Sequence, residues 1–456
     1  MNYDLIVIGG GPAGYIGAAR AGQAGLKTLL VEKRSLGGVC LNEGCIPSKA
    51  LLNSAKIFDY AKYGEKYGVK AQNVELDHSA VISRKNKVVR VLVSGVRAQL
   101  KGSNVNVVEG HARITGRSSD GYAIKVNDET FTGKRLLIAT GSEPIIPPIP
   151  GAKEGMEAGY VLTNREILDI PNIPQSLVVV GGGIIGLEMA SYFNSAGAKV
   201  TVIEMLDHIA GNTDREISQI LLKNYQKKGV DFKLNSRVVE IQNGTVVYES
   251  AGKMEEIKAD KVLMSVGRRP AIRDIGLESI DVEIENGAIK TDERGKTNIP
   301  EVYAAGDVNG RSMLAHTAYR EAEVCVNNML GRRDIVRYNA IPSVIYTNPE
   351  VACVGETEET AREKGIDFEV AKLSMRYSGR YVAENEDGDG ICKLLINKKY
   401  RNLIGVHMIG SYSSEIIYGA GIMIETELRV RDIKELVFPH PTVSEIIRES
   451  IFHFDD

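Results

Sequence analysis

The sequence predicts an α/β fold in which one βαβ unit occurs twice and is followed by a C-terminal α+β part. Three observations carry this prediction. The segment DLIVIGGGPAG at residues 4–14 returns as SLVVVGGGIIG at 176–186. An acid follows the first glycine of each copy at the same distance, Glu32 after Gly9 and Glu204 after Gly181. Each copy also opens as an apolar run, passes through glycine into a helical pattern and returns to a second apolar run that ends in the acid. This is the pattern of a Rossmann-like, dinucleotide-binding unit.

Size and composition set the bounds. At about 100–200 residues per domain, 456 residues make two to four packed units. Charged residues are 25% and apolar residues 43%, enough for sizeable cores and incompatible with a disordered chain. A net charge of −3 from 56 basic and 59 acidic side chains supplies no field for a nucleic-acid backbone or an anionic membrane. Five cysteines are too few, and odd in number, for a disulfide scaffold, so any disulfide is expected to be catalytic. The N-terminus runs straight into Leu5–Ile8 without a signal-peptide pattern, and the long apolar stretch from Leu177 to Ala190 is interrupted by glycines and carries Glu188. A soluble, cytoplasmic protein is expected.

In the first copy Gly9 permits the tight bend, Gly11 lets backbone approach a pyrophosphate, and Gly14 lets helix and strand pack closely. Gly181, Gly183 and Gly186 repeat these roles, and Glu32 and Glu204 stand where a carboxylate accepts bonds from ribose hydroxyls. Two dinucleotides imply one held and one exchanged. Residues 205–209 after Glu204 hold no Arg or Lys to meet a 2′-phosphate, so the second copy is expected to prefer NAD over NADP.

Between the copies lies GGVCLNEGCIPSK, residues 37–49. Cys40 and Cys45, five positions apart, would point to nearly opposite faces of a regular helix, but a turn through Gly37, Gly38 and Gly44 can bring them within disulfide range. Pro47 and the pattern after it put Cys45 at a helix N-terminus, which lowers a thiol pKa. The alternative is two buried free cysteines; no second Cys or His pair has zinc-ligand spacing. LLIATGSEP at 136–144 and VLMSVGRRP at 262–270 end the two units, a proline-rich linker EPIIPPIPG spans 143–151, and IPEVYAAGDVNG occupies 299–310.

Together with FPHPTVSE at 438–445, these motifs make the whole chain resemble the flavin-dependent pyridine nucleotide–disulfide oxidoreductases. The resemblance implies an FAD unit at 1–148, an NAD unit at 149–270, a segment at 271–338 that completes the FAD unit, and a dimerisation domain at 339–456. It implies a homodimeric enzyme that oxidises protein-bound dihydrolipoyl groups and reduces NAD. Its partner would be the acyltransferase of a 2-oxo acid dehydrogenase complex or the H protein of glycine cleavage. Cys45 matches the thiol that contacts the flavin and Cys40 the thiol that exchanges with substrate. Lys49 and Glu188 match an ion pair near the flavin, and His440 and Glu445 an acid/base pair that serves the opposite subunit. Around FAD the resemblance places Gly9, Gly11, Pro12, Ala13, Gly14, Glu32, Lys33, Gly38, Lys49, Thr140, Gly141, Asp307, Leu314, Ala315 and His316. Around NAD it places Gly181, Gly183, Ile184, Ile185, Gly186, Glu188, Glu204 and Gly267, and it places no metal.

The remaining histidines, His78, His111, His208, His407 and His453, carry no motif and are read as surface or packing residues. Two stretches depart from the family pattern, Glu43 in the cysteine loop and GSYSSE at 410–415. A glutathione-type reductase would place bases after Glu204 and a mercuric reductase a C-terminal cysteine pair, and neither is present.

Overall fold

The computed structural model describes residues 2–242 and 244–455. The first unit starts with strand β1 (Asn2–Ile8), helix α1 (Pro12–Gln23) and strand β2 (Thr28–Glu32). Alternate side chains of β1 divide between two cores: Leu5 and Val7 join Ala18, Leu137 and Ala322, while Ile6 and Ile8 join Ile124, Ile138 and Val302. A strand covered on both faces reads as an unbroken apolar run, which is why LIVI shows no alternation. Helices α2 (Gly38–Glu43), α3 (Cys45–Lys62) and α4 (His78–Gly102) follow, and α3 packs on α4. Strands β3 (Asn106–Glu109), β4 (Ala112–Ser118), β5 (Gly121–Val126) and β6 (Glu129–Ile138) complete a sheet of order β3-β2-β1-β6-β5-β4. Pairings among β3, β2, β1 and β6 are parallel, and β4 and β5 form an antiparallel meander on the β6 side.

Strand β7 (Ser142–Pro144) leads to the second unit. That unit holds α5 (Ala152–Glu157), β8 (Val161–Leu162), β9 (Ser176–Val180), α6 (Ile184–Ser195), β10 (Lys199–Ile203), α7 (Arg215–Lys227) and β11 (Asp231–Lys233). An antiparallel sheet of β12 (Ser236–Gln242), β13 (Thr245–Ser250) and β14 (Lys253–Lys258) precedes β15 (Lys261–Met264). The order β11-β10-β9-β15-β8 is parallel throughout. Helix α3 also packs on α6, so the cysteine-bearing helix lies between the units.

The chain returns through β16 (Arg268–Pro270), which pairs with β7, and a hairpin of β17 (Ile284–Glu285) and β18 (Ala288–Ile289). Strand β19 (Val302–Ala304) then adds to β6 in the first sheet, and α8 (Ala315–Met329) packs along α1. The C-terminal part is an antiparallel sheet β20-β21-β24-β23-β22, made from β20 (Ser343–Ile345), β21 (Val351–Gly355), β22 (Phe368–Ser374), β23 (Ile391–Asn397) and β24 (Leu403–Ile409). Helices α9 (Glu358–Glu363), α10 (Gly379–Glu384), α11 (Ser413–Glu425), α12 (Val430–Lys434) and α13 (Glu445–Ile451) surround it. The GSYSSE stretch turns into α11 through Tyr412, a non-glycine residue at φ +66°.

A buried ion cluster ties this C-terminal sheet to the second unit. Lys393 Nζ lies 2.9 Å from Asp214 Oδ2 and Glu358 Oε1, and 3.3 Å from Glu216 Oε2. Asp214 also caps α7, accepting from the backbone N–H groups of Glu216 and Ile217. Lys393→Met leaves buried Asp214 facing an uncharged side chain, while Glu216 and Glu358 keep Lys372 and Arg362. It is expected to cost about 3–5 kcal/mol of unfolding free energy, read by chemical denaturation.

Candidate active site

Both glycine turns are built on contacts that exclude a side chain. Gly9 has φ +105°, and a Cβ on Gly14 would lie 1.8 Å from the Gly9 carbonyl oxygen. Gly181 has φ +103°, and a Cβ on Gly186 would lie 2.3 Å from the Gly181 oxygen. The middle glycines behave differently. Gly11 and Gly183 start α1 and α6 in extended conformation, and a Cβ on Gly183 would meet nothing within 4 Å, one on Gly11 only Gly38 at 3.8 Å. That open space in front of each helix N-terminus suits a phosphate and fits a dinucleotide on each turn. Each acid is fixed by the turn it follows: Glu32 accepts from Gly10 N at 2.6 Å and Glu204 from Gly182 N at 2.6 Å.

One cleft of about 2000 Å³ runs past both turns. A pocket for a single small ligand takes about 300–1,000 Å³, so there is room for two dinucleotides. Lys33, Thr140, Gly141, Leu314, Ala315, His316, Ile184, Ile185 and Gly267 line it with Pro12, Ala13 and Gly38. Gly14 and Gly186 stand behind the turns, outside the lining, because their task is to let each helix close on its own strand. Among the described residues no group of three or more His, Cys, Asp or Glu side chains is placed to hold a metal ion.

The cysteines open into this cleft. Cys40 sits in a short helix, α2, rather than in the expected open turn; Gly37 and Gly38, at φ +90° and +58°, start that helix. Gly44 breaks it, and α3 restarts at Cys45 in a new direction. The two thiols are free and half-buried side by side. The neighbouring Cys40 thiol and then the Lys49 ammonium hold the Cys45 thiol below its usual value against the effect of burial. Cys45, together with burial, pushes Cys40 up.

Lys49 is no free surface lysine. Its Nζ lies 2.9 Å from both carboxylate oxygens of Glu188, whose side chain is 5% exposed, and 4.4 Å from the ring centre of Tyr346. Tyr346 N donates to Glu188 Oε1 at 3.1 Å. Asp307, directly after β19, accepts at Oδ2 from Ser142 Oγ. Its turn is held by buried Glu321, which accepts from Gly306 N at 2.6 Å and from Tyr338 OH at 2.7 Å.

His440 and Glu445 lie elsewhere, on the C-terminal part, and neither lines the cleft. His440 Nδ1 is 2.9 Å from Glu445 Oε1 and the imidazole is 77% exposed. Burial acts to raise the Glu445 carboxyl, but the Thr442 N–H and His440 hold it below its usual value. Of the motif-free histidines, His78 and His407 are buried and bonded to Ile170 O and Glu356 O, His208 and His453 bond locally, and His111 lines the cleft.

Several polar residues escaped the sequence reading. Arg268, Ser142 and Asn164 form a hydrogen-bonded group in the wall of the cleft. Arg215, the first residue of α7, reaches the stretch after Glu204 although no base lies within 205–209, and Asp207 holds its guanidinium at 2.8 Å. Only tertiary folding brings these groups together, so no spacing rule announces them.

In the reduced protein, Cys45 alkylation by iodoacetamide follows the thiolate fraction and is expected to rise at a lower pH than the ~8.5 of a free thiol. Lys49→Met removes a charge that favours the thiolate and moves this midpoint upward. The Glu43 carboxylate turns away to Arg165 Nε at 2.9 Å and Arg34 Nη1 at 3.2 Å. The arginines of both pairs are solvent-exposed and surface pairs are worth about 0–1 kcal/mol, so Glu43→Val is expected to change turnover by less than about tenfold in a steady-state assay.

The model of the pyridine nucleotide-disulphide oxidoreductases matches residues 3–322, and that of their dimerisation domain residues 341–451. A dihydrolipoyl dehydrogenase of Mycoplasma genitalium is 37% identical, covering 98% of both chains. One of Geobacillus stearothermophilus is 38% identical over 99% of this chain and 96% of its own, and the mitochondrial one of Sus scrofa 38% over 99% and 90%. Among solved structures, an HOCl-induced flavoprotein disulfide reductase of Escherichia coli superposes with TM-score 0.87 at 27% identity, each chain covered to 99%. These full-length matches agree with the paired turns and the cysteine helix between them: the chain belongs to the pyridine nucleotide-disulphide oxidoreductase family.

Proposed function

We propose that the chain is a dihydrolipoyl dehydrogenase, which oxidises protein-bound dihydrolipoyl groups through Cys40 and Cys45 and delivers the electrons through FAD to NAD. The observation that carries this reading is the placement of two free thiols, Cys45 at a helix start and Cys40 in the short helix before it, in a cleft that also holds both glycine turns. Seated on the first turn, FAD would supply the two-electron acceptor for the thiol pair and the hydride for NAD on the second.

Each residue has a task in that sequence. Gly9, Gly11 and Gly14 with Glu32 seat FAD, and Gly181, Gly183 and Gly186 with Glu204 seat NAD. Asp307 holds the flavin side chain, and Lys49, kept straight by Glu188, sets the charge beside Cys45. One substrate thiol must lose its proton to attack Cys40 of the disulfide, releasing Cys45 as thiolate. The second substrate thiol then attacks the substrate sulfur of the mixed disulfide and its proton passes to Cys40 as that sulfur leaves, so that dihydrolipoyl is oxidised and the cysteine pair is reduced. His440 takes the first proton at Nε2, since its Nδ1 is committed to Glu445. Because His440 lies outside its own cleft and open to solvent, the reading assigns it to the cleft of a second copy.

An FAD unit at 1–148 completed by 271–338, an NAD unit at 149–270 and a dimerisation domain at 339–456 suit this scheme, as does a homodimer. A lipoyl-bearing acyltransferase or H protein is the proposed partner. No helix of the described residues is long and apolar enough to cross a membrane, and the cytoplasm is the proposed compartment.

Anaerobic titration with dihydrolipoamide tests the substrate. Stoichiometric flavin reduction, a long-wavelength thiolate-to-flavin band and NADH formation on adding NAD are expected; a flavin that ignores dihydrolipoamide yet is bleached by NADH overturns the assignment. A positioned general base contributes about 10²–10⁴-fold, so His440→Gln is expected to lower lipoamide turnover by about 100-fold or more. Cys40→Ser is expected to abolish it, with flavin retained in both variants by absorbance.

A further inference from the structure

One polar assembly is unused by this chemistry. Arg268 begins β16 in the wall of the cleft, where burial lowers its pKa and Asp307 opposes that shift. Its guanidinium donates through Nε to Ser142 Oγ at 2.8 Å and through Nη2 to the Ser142 carbonyl oxygen at 2.8 Å. Ser142 Oγ in turn donates to Asp307 Oδ2. On its other side, Arg268 Nη1 donates to Asn164 Oδ1 at 3.1 Å, and Asn164 Nδ2 donates to the main-chain oxygen of Glu43 at 2.7 Å.

The line therefore runs unbroken from Asp307 to the cysteine loop, and each member comes from a different stretch of chain. Its two ends sit where small movements matter. The Glu43 carbonyl is the last of α2, an end that has no partner within its own helix, and the next residue is the Gly44 break before Cys45. Asn164 pins that peptide, and with it the angle at which α3 presents Cys45. At the other end, Ser142 holds one oxygen of Asp307 and is itself gripped at both hydroxyl and carbonyl. Only a planar fork of donors serves both sides at fixed angles, which a lysine ammonium does not supply.

We propose that Arg268 is a positioning residue that couples the seating of the flavin to the placement of Cys45, acting on Asp307 through Ser142 and on the cysteine loop through Asn164. The inference rests on the roles assigned above to Cys45 and Asp307. It is separable from the substrate reading, because dithionite reduces the flavin and disulfide whatever the natural substrate is.

The test compares holoprotein of Arg268→Met, Arg268→Lys, Ser142→Ala and Asn164→Leu. Flavin release on dilution is read by fluorescence, and the thiolate-to-flavin band after anaerobic two-electron reduction is titrated against pH. Loss of a charge-assisted bond is worth about tenfold or more in an equilibrium. Asn164→Leu is expected to keep flavin within about twofold of the parent yet weaken the band or displace its pH midpoint. Ser142→Ala is expected to release flavin about tenfold more readily, with the band intact in the bound fraction. Arg268→Met is expected to show both defects and Arg268→Lys to regain part of the flavin retention. Parent values for both readouts in Arg268→Met overturn the proposal, as does an Asn164→Leu protein that loses flavin as readily as Arg268→Met. Should Arg268→Met not accumulate folded, Ser142→Ala and Asn164→Leu decide alone: separate defects support the coupling, and identical defects refute it.

Discussion

The cleft depends on a contact that only a hydrogen atom can make. Where α1 leaves its strand, the Gly14 Cα presses against the carbonyl of Gly9, and Gly186 repeats this against Gly181. Any side chain there would push the helix off the strand and swing its N-terminal amides away from the ligand. Because both turns are closed in the same manner, both helix starts look into one space. The position of α3 follows: it packs on α6, and its first turn lines the same cleft as both glycine turns.

Charge then organises what the backbone has brought together. Lys49 extends from α3 to Glu188 on α6, an ion pair that crosses from the first unit to the second. Glu188 is almost wholly buried and also accepts from the Tyr346 amide, so it is anchored from two directions and Lys49 has one place to go. The ammonium thereby stays near Cys45 and favours its thiolate without depending on solvent exposure. Glu43, a carboxylate two residues from Cys45, exerts no comparable opposing effect because Arg34 and Arg165 have already claimed it.

The sequence made the scaffold readable wherever function is carried by local backbone geometry. Glycine spacing, the acid after each second strand and the cysteines around Gly44 are short-range features, and the structure places them at the turns and helix start that those features require. The helical character of the Cys40 segment was less legible, since six residues opened by two left-handed glycines look like a turn. Contacts made over long sequence distances were not readable at all. Arg268 lies in a motif noted only for its Gly and Pro, Asn164 in none, and the partner of Glu321 is a backbone amide 15 residues away. Arg215 shows the same limit: reading 205–209 for bases misses one that a helix start returns to the loop.

The outward-facing His440–Glu445 pair has a consequence for inheritance. If each imidazole works in its neighbour's cleft, as proposed, the complete reaction centre is shared property rather than the attribute of one polypeptide. Two alleles that are each inactive, one damaged at the cysteines and one at the histidine, would then produce hybrid dimers in which one of the two centres is assembled from undamaged halves. Turnover lost from either variant alone would return in part when both are expressed together.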